Sequence, residues 1–246
     1  LEMKGYGTER IEEDLSIYFP DARLARMDLD STRSKNAYSQ IIHAFEAGEI
    51  DILVGTQMVT KGLDFDNVRI VGILDADSLL NFPDFRAFER SFQLMMQVSG
   101  RAGRKEKQGK VIIQTYDKQH PVIQDVVSYN FEHLYSHQMG ERKVFHYPPY
   151  YRLVKVSVKH KEQKRAEDAA KRLTHYLKQF FGQRVLGPQP PLIARIQNFY
   201  IQEMLIKLER SMPVYDSRRQ IRQAIGYLQQ NPGMKGIRVA VDADPN

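Results

Sequence analysis

A chain of 246 residues, 42 % hydrophobic and 27 % charged, has the composition of a folded protein and length for one large domain or two ordinary ones. It contains no cysteine, which excludes disulfides, thiolate metal centres and cysteine nucleophiles and fits a reducing cytoplasm. A net charge of +6 and a pI near 9.3 lean towards a polyanionic partner; no apolar run approaches the roughly 20 residues that span a bilayer, and no signal-peptide pattern opens the chain.

The opening Leu1-Glu2-Met3-Lys4-Gly5 does not read as a natural start, so the chain is expected to be a piece of a longer protein. Thr8 is placed to cap a helix running through Phe19, with Ile11, Leu15 and Phe19 on one stripe. A short strand is predicted over 22–27, then a helix over about 35–47 that carries Tyr38, Ile41, Ile42 and Phe45 and stops at Gly48. The runs 51–55 and 68–74 are nearly all apolar in their middles, as in strands covered on both faces of a parallel sheet. A helix over about 86–98 and a strand over 110–115 continue the alternation, which predicts an open α/β sheet with its ligands at the carboxyl ends of the strands.

Residues 120–145 read as helical connectors, and Pro148-Pro149 is a stiff break that excludes helix. Beyond it the order changes. Strand 153–158, a basic amphipathic helix over about 163–181, short strands at 184–186 and 192–196, a strand at 200–208, a helix over about 216–229 and a strand at 237–241 follow. This is close to β-α-β-β-α-β, a split or ferredoxin-like α+β arrangement. The predicted domains are therefore 1–145 and 146–246.

Chemistry concentrates in Gln97-Val98-Ser99-Gly100-Arg101-Ala102-Gly103-Arg104. On a helix Gln97, Arg101 and Arg104 would share one face, Leu94, Met95 and Val98 would anchor it, and the glycines would let a ligand or backbone approach. Two forked cations and an amide on a rigid support suit the charge of a triphosphate; a solvated basic helix end is the plain alternative. Upstream, Thr56-Gln57-Met58-Val59-Thr60-Lys61-Gly62-Leu63-Asp64 follows a predicted strand. Between the two lie Asp75-Ala76-Asp77 and Pro83-Asp84-Phe85-Arg86-Ala87-Phe88-Glu89-Arg90.

The pattern Q-x-x-G-R-x-G-R resembles motif VI of superfamily 2 helicases, and T-x-x-x-x-K-G-x-D resembles their motif V. With Gly7-Thr8-Glu9-Arg10, the D-A-D and P-D-F-R-A-x-E-R stretches, the Tyr147–Tyr150 break and the closing Val241-Asp242-Ala243-Asp244-Pro245, the whole chain resembles the C-terminal part of the primosomal protein N′ (PriA) family of replication-restart helicases. The resemblance implies a second RecA-like motor lobe and a small C-terminal domain of an ATP-dependent 3′-to-5′ bacterial, cytoplasmic DNA helicase. It implies Arg104 as arginine finger, Arg101 as a second γ-phosphate contact and Gln97 as a relay. Gly62 and Asp64 would lie at the nucleotide, and Thr56, Thr60 and Lys61 at the DNA strand, where a strand-end threonine and backbone N–H groups hold phosphate.

Neither G-x-x-x-x-G-K-[ST] nor an acidic D-E-x-[HD] box occurs in the chain. ATP and Mg²⁺ would therefore be held jointly with another lobe, and these residues alone are expected to lack ATPase. Zinc is expected only in the family's cysteine-rich insertion upstream, and not here. Partners implied are single-stranded and forked DNA, other primosome proteins and the acidic tail of single-strand-binding protein, the last against Arg218, Arg219 and Arg222. Arg195, Asn198 and Tyr200 are further candidates for branched DNA. His133 and His137 stand i, i+4 but read as surface residues rather than metal ligands. Other superfamily 2 translocases and a non-catalytic DNA- or protein-binding module are the competing readings; a metabolic Rossmann enzyme is disfavoured because no G-x-G-x-x-G follows a strand.

Overall fold

A computed structural model of the chain describes residues 7–28, 35–56, 68–100 and 109–245. It divides into two compact units, Leu1–Tyr135 and Ser136–Asn246. The first is a mixed α/β unit with small parallel sheets; the second packs helices on an antiparallel sheet.

In the first unit α1 (Thr8–Tyr18), β1 (Leu24–Met27), α2 (Lys35–Glu46) and β2 (Ile52–Gly55) are followed by β3 (Ile70–Ile73), α3 (Ala76–Leu80), α4 (Ala87–Ser99), β4 (Lys110–Ile113), α5 (Pro121–Val127) and the first turn of α6 (Phe131–Val144), most of which belongs to the second unit. Among the described residues the strands form two two-stranded parallel sheets, β1–β2 and β3–β4, in place of one open sheet. On β3–β4 the expected cover of both faces is not found, with Ile70 62 % and Ile112 58 % exposed, whereas Ile52, Leu53 and Val54 of β2 are buried or half-buried. On β3–β4, Ile73 and Ile113 turn inward to Phe92, Met95, Val122, Ile123 and Val126 while alternate residues face out. The short helix α3 was not legible as such, and the connectors α5 and α6 supply a large part of this core.

Arg23 sets the register of β1 on β2. Its side chain donates to both oxygens of Asp51 at 2.8 Å and to Gly48 O at 2.6 Å, and its backbone N–H donates to Asp51 Oδ2 at 2.9 Å. These hydrogen bonds hold the Asp51 carboxyl far below the usual carboxylate range. Gly48, with φ +73, closes α2 in the left-handed conformation that glycine adopts most cheaply.

Thr8 is not the cap of α1. Gly7 occupies that position, no side chain caps the helix, and the Thr8 hydroxyl donates instead to Asp28 Oδ2 at 2.5 Å. The long-range carboxylate competes successfully with the local amides for that hydroxyl.

In the second unit β5 (Tyr151–His160), α7 (Gln163–Phe181), β6 (Val185–Gln189), β7 (Arg195–Ile196), β8 (Phe199–Glu209), α8 (Val214–Gln229) and β9 (Arg238–Ala243) follow one another. The antiparallel sheet runs β6-β8-β5-β9, with β7 paired to β8. Val156, Val158, Met204, Ile206 and Leu208 point to one face, where Leu173, Leu177 and Phe181 of α7 and Ile221, Ala224 and Leu228 of α8 cover them. The opposite face carries Lys155, Lys159, Glu203 and Arg238, with Leu153, Ser157 and Ile201 buried among them. Helix α7 buries Ala166, Ala169, Ala170, Leu173 and Leu177, a 3.6-residue stripe, and ends where its periodicity predicts. Strand β7 is only two residues long, shorter than expected, and Leu192 and Ile193 ahead of it are exposed.

Gly187 in β6 has φ +92, and a Cβ there would sit 2.7 Å from Glu203 O on the neighbouring strand. Backbone cannot yield as a side-chain tip can. Gly187→Ala is therefore expected to cost at least about 1–2 kcal/mol, the penalty of the left-handed region alone, read as a lower urea midpoint of the C-terminal unit. A neutral result would contradict the close approach of β6 to β8.

Candidate functional site

Parallel strands deliver side chains and backbone N–H groups to their carboxyl ends, and the first unit is built around two such ends. At the end of β1–β2, Met27 is paired with Gly55, so Asp28 and Thr56 are the next residues on adjacent strands. Asp28 is buried, accepts from Thr8 at the start of α1 and lies 3.2 Å from Arg26 Nε. Arg26 also approaches Glu12 at 3.6 Å and Glu9 at 3.8 Å. This cluster holds the amino end of α1 beside the strand end. Thr56 is exposed there, as a phosphate contact requires. The Thr8–Asp28–Arg26 cluster was not foreseen; the one available signal was an acid directly after a strand.

At the end of β3–β4 the D-A-D stretch has a defined task. Asp75 adopts φ 52 and caps α3, accepting from Ser78 N at 3.3 Å and from the Ser78 hydroxyl. Asp77 accepts from Thr115 Oγ1 and Tyr116 N, both at 3.0 Å, and so ties the end of β3 to the end of β4. Asp84 accepts from Arg86 N at 2.8 Å and from Arg90 Nη1 at 3.0 Å, which fixes the entry to α4. Ser91 bonds back to Ala87 O, and Phe92 and Met95 anchor the helix in the core. The stretch before the arginine motif thus orients α4, and α4 presents Gln97 on its exposed side two residues before its end.

Helix α4 ends at Ser99, with Gly100 as its C-cap. Arg101 and Arg104, and likewise Thr60, Lys61, Gly62 and Asp64, lie outside the described residues. Of the expected constellation, Gln97 and Thr56 alone are placed, each at an exposed position beside an element end.

In the second unit a cavity of about 470 Å³ lies between α8 and the end of the sheet. Its floor includes Val154, Leu208, Ile221 and Ile225, with Arg218 and Arg222 from α8 and Arg152 from β5 on its walls. Arg152 Nη2 donates to Glu209 O at 3.1 Å and to Met212 O, which holds that guanidinium at the wall. The three arginines grouped in the sequence separate here: Arg219 pairs with Asp216 at 3.0 Å, whereas Arg218 and Arg222 line the cavity. Arg195 and Asn198 bond to each other at 3.1 Å, and the Arg195 guanidinium lies 5.1 Å from the Tyr200 ring centroid. His133 bonds Asp125 at 2.6 Å, and His137 lies 3.9 Å from Glu141. Among the described residues no group of three or more His, Asp or Glu could hold a metal ion, and no helix is long and apolar enough to cross a membrane.

Residues 8–106 match the model of the helicase conserved C-terminal domain, and residues 143–246 match that of the primosomal protein N C-terminal domain. The replication restart protein PriA of Bacillus subtilis is 42 % identical over 243 residues, 98 % of this chain and 30 % of that protein. The chain belongs to the PriA family. The PriA of Synechocystis is 41 % identical over 91 % of this chain and 27 % of its own length, and that of Treponema pallidum 39 % identical over 98 % and 36 %. The chain thus spans about a third of the length of these PriA relatives, and it corresponds to their helicase C-terminal and primosomal C-terminal regions.

Proposed function

We propose that residues 1–145 form the second RecA-like motor lobe, and residues 146–246 the ferredoxin-like C-terminal domain, of an ATP-dependent 3′-to-5′ superfamily 2 DNA helicase that restarts stalled replication forks and initiates primosome assembly. The observation that carries this reading is the succession of the two domain matches, 8–106 then 143–246, in a chain 42 % identical to a replication restart protein almost from end to end. Parallel strand pairs in the first unit and the order β5-α7-β6-β7-β8-α8-β9 in the second support the architecture.

In this reading Arg104 is the arginine finger, Arg101 a second phosphate contact, and Gln97 the relay between nucleotide and lobe closure. Gly62 and Asp64 line the nucleotide, while Thr56, Thr60 and Lys61 hold the tracking strand. ATP with Mg²⁺ supplies the phosphoryl transfer that drives translocation. The chain's part is to place charge and backbone donors on one side of that site, since the phosphate-gripping loop is not among its 246 residues. The acidic tail of single-strand-binding protein would lie at the α8 cavity, its carboxylates on Arg218 and Arg222 and its apolar side chains on Ile221 and Ile225. The position of Arg219 against Asp216 makes it the weakest of the three contacts.

The test compares the chain with the full-length protein. The 246-residue chain should shift forked DNA with a steep salt dependence, about −0.7 in log–log slope for each single-strand phosphate contact, and show no ATP turnover; the full-length protein should hydrolyse ATP when DNA is added. Turnover by the chain alone, or a full-length protein indifferent to DNA, would contradict the reading.

A further inference from the structure

We infer that the face of the C-terminal sheet opposite α7 and α8 holds a site for unpaired DNA bases, centred on Phe199 and Arg238. The inference rests on the reading of the chain as part of a DNA motor and adds to it a contact made of different residues.

The register identifies the face. Arg238 of β9, Lys159 of β5 and Ile201 of β8 stand in one row, and Ile196 of β7 pairs with Phe199 at the near end of β8. Val158 and Met204, one residue out of this alternation, lie in the core beneath α7 and α8, so the row points away from the helices. Arg238 reaches across the intervening strand β5 and lays its guanidinium 4.5 Å from the Phe199 ring centroid. Phe199 is half-exposed, and Ile196 and Arg238 are exposed beside it. Arg195 and Tyr200, by the same parity, belong to the helix-bearing side.

Chemistry favours a nucleobase over other occupants. A guanidinium plane stacked on an aromatic ring is a flat, cationic and partly apolar platform, the surface on which bases stack irrespective of sequence. Lys159, in the same row as Arg238, supplies a cation for the adjoining phosphate. Among the described residues Lys159 and Arg238 make no salt bridge, so neither charge is neutralised by a carboxylate. Acidic groups on this face lie further along the strands: Glu203 accepts from Ser157 Oγ at 3.3 Å, and Asp242 stands opposite Lys155. They confine the site to the Phe199 end. An acidic peptide would use the cations but not the exposed ring plane.

Fluorescence anisotropy of the 246-residue chain with an oligothymidylate of about 15 nucleotides, and with an abasic strand of the same length, reads the site directly. Phe199→Ala should weaken oligothymidylate binding roughly 5- to 100-fold and leave abasic DNA nearly unaffected, whereas Phe199→Tyr should bind as the parent does. Lys159→Ala should lower the log–log salt slope by about 0.7 on both strands. A thermal melt of each variant checks that the domain is folded. Equal losses on the two strands, or a polyglutamate peptide whose binding depends on Phe199 in the same way, would overturn the site. If folded Phe199→Ala keeps its affinity within about twofold, against the effect of a lost stack, the site is overturned while the motor reading stands. A parent chain that binds no DNA at all removes both.

Discussion

In the full-length protein, Arg104→Ala is expected to lower DNA-stimulated ATP hydrolysis by about 10³- to 10⁵-fold, roughly 4–7 kcal/mol of barrier, while affinity for single-stranded DNA stays close to that of the parent. The selectivity follows from the role proposed for this side chain. A guanidinium that meets charge developing on the transferred phosphoryl group contributes in the transition state and hardly at all in the DNA complex. Arg104→Lys should rescue little, because a point charge does not reproduce the planar fork. Steady-state turnover with saturating single-stranded DNA, with anisotropy measured on the same preparations, separates the two quantities. Retention of half the parental rate, or a parallel loss of DNA affinity, would remove Arg104 from the ATP site.

Phe181→Ala should produce the largest loss of stability in the C-terminal unit, about 3–5 kcal/mol. Phe181 closes α7 with 0 % exposure in the cluster that joins α7 to the sheet and to α8. Truncation removes apolar burial and leaves a space that the sheet cannot collapse to fill, since its central strands β8 and β5 are each paired on both sides. Its neighbour Phe180 is only partly buried against the same cluster, so Phe180→Ala should cost clearly less. Urea unfolding followed by circular dichroism measures both variants. A loss below about 1 kcal/mol for Phe181→Ala, small for a fully buried ring, would be incompatible with its position.

Regular elements were legible wherever periodicity was strong. Helix α7 shows its bounds because small and apolar residues recur every three to four positions among lysines and arginines. Strands β5 and β8 show their alternation but extend further than predicted, because pairing partners continue the ladder past the apolar stretch. The first unit was less legible. The apolar run of β3 promised cover on both faces, yet burial depends on what packs against a strand, and Ile70 and its neighbour Ile112 on β4 face outward. Thr8 has the local signature of a cap, but its hydroxyl is taken by Asp28, twenty residues on, and no window along the chain contains that competition. Arg218, Arg219 and Arg222 look equivalent as letters; Asp216, three residues ahead of Arg219, separates it from the other two. At the candidate site, Thr56 and Gln97 fall at the ends of the elements predicted to carry them.

The two acids after β3 spend their carboxylates on Ser78, Thr115 and the Tyr116 amide, inside the protein's own framework. The D-A-D stretch therefore joins two strands and a helix in this fold. A descendant that had lost its motor could keep those letters for as long as it kept its shape. On the reading proposed above, the letters that would sort working helicases from retired ones are the arginines downstream.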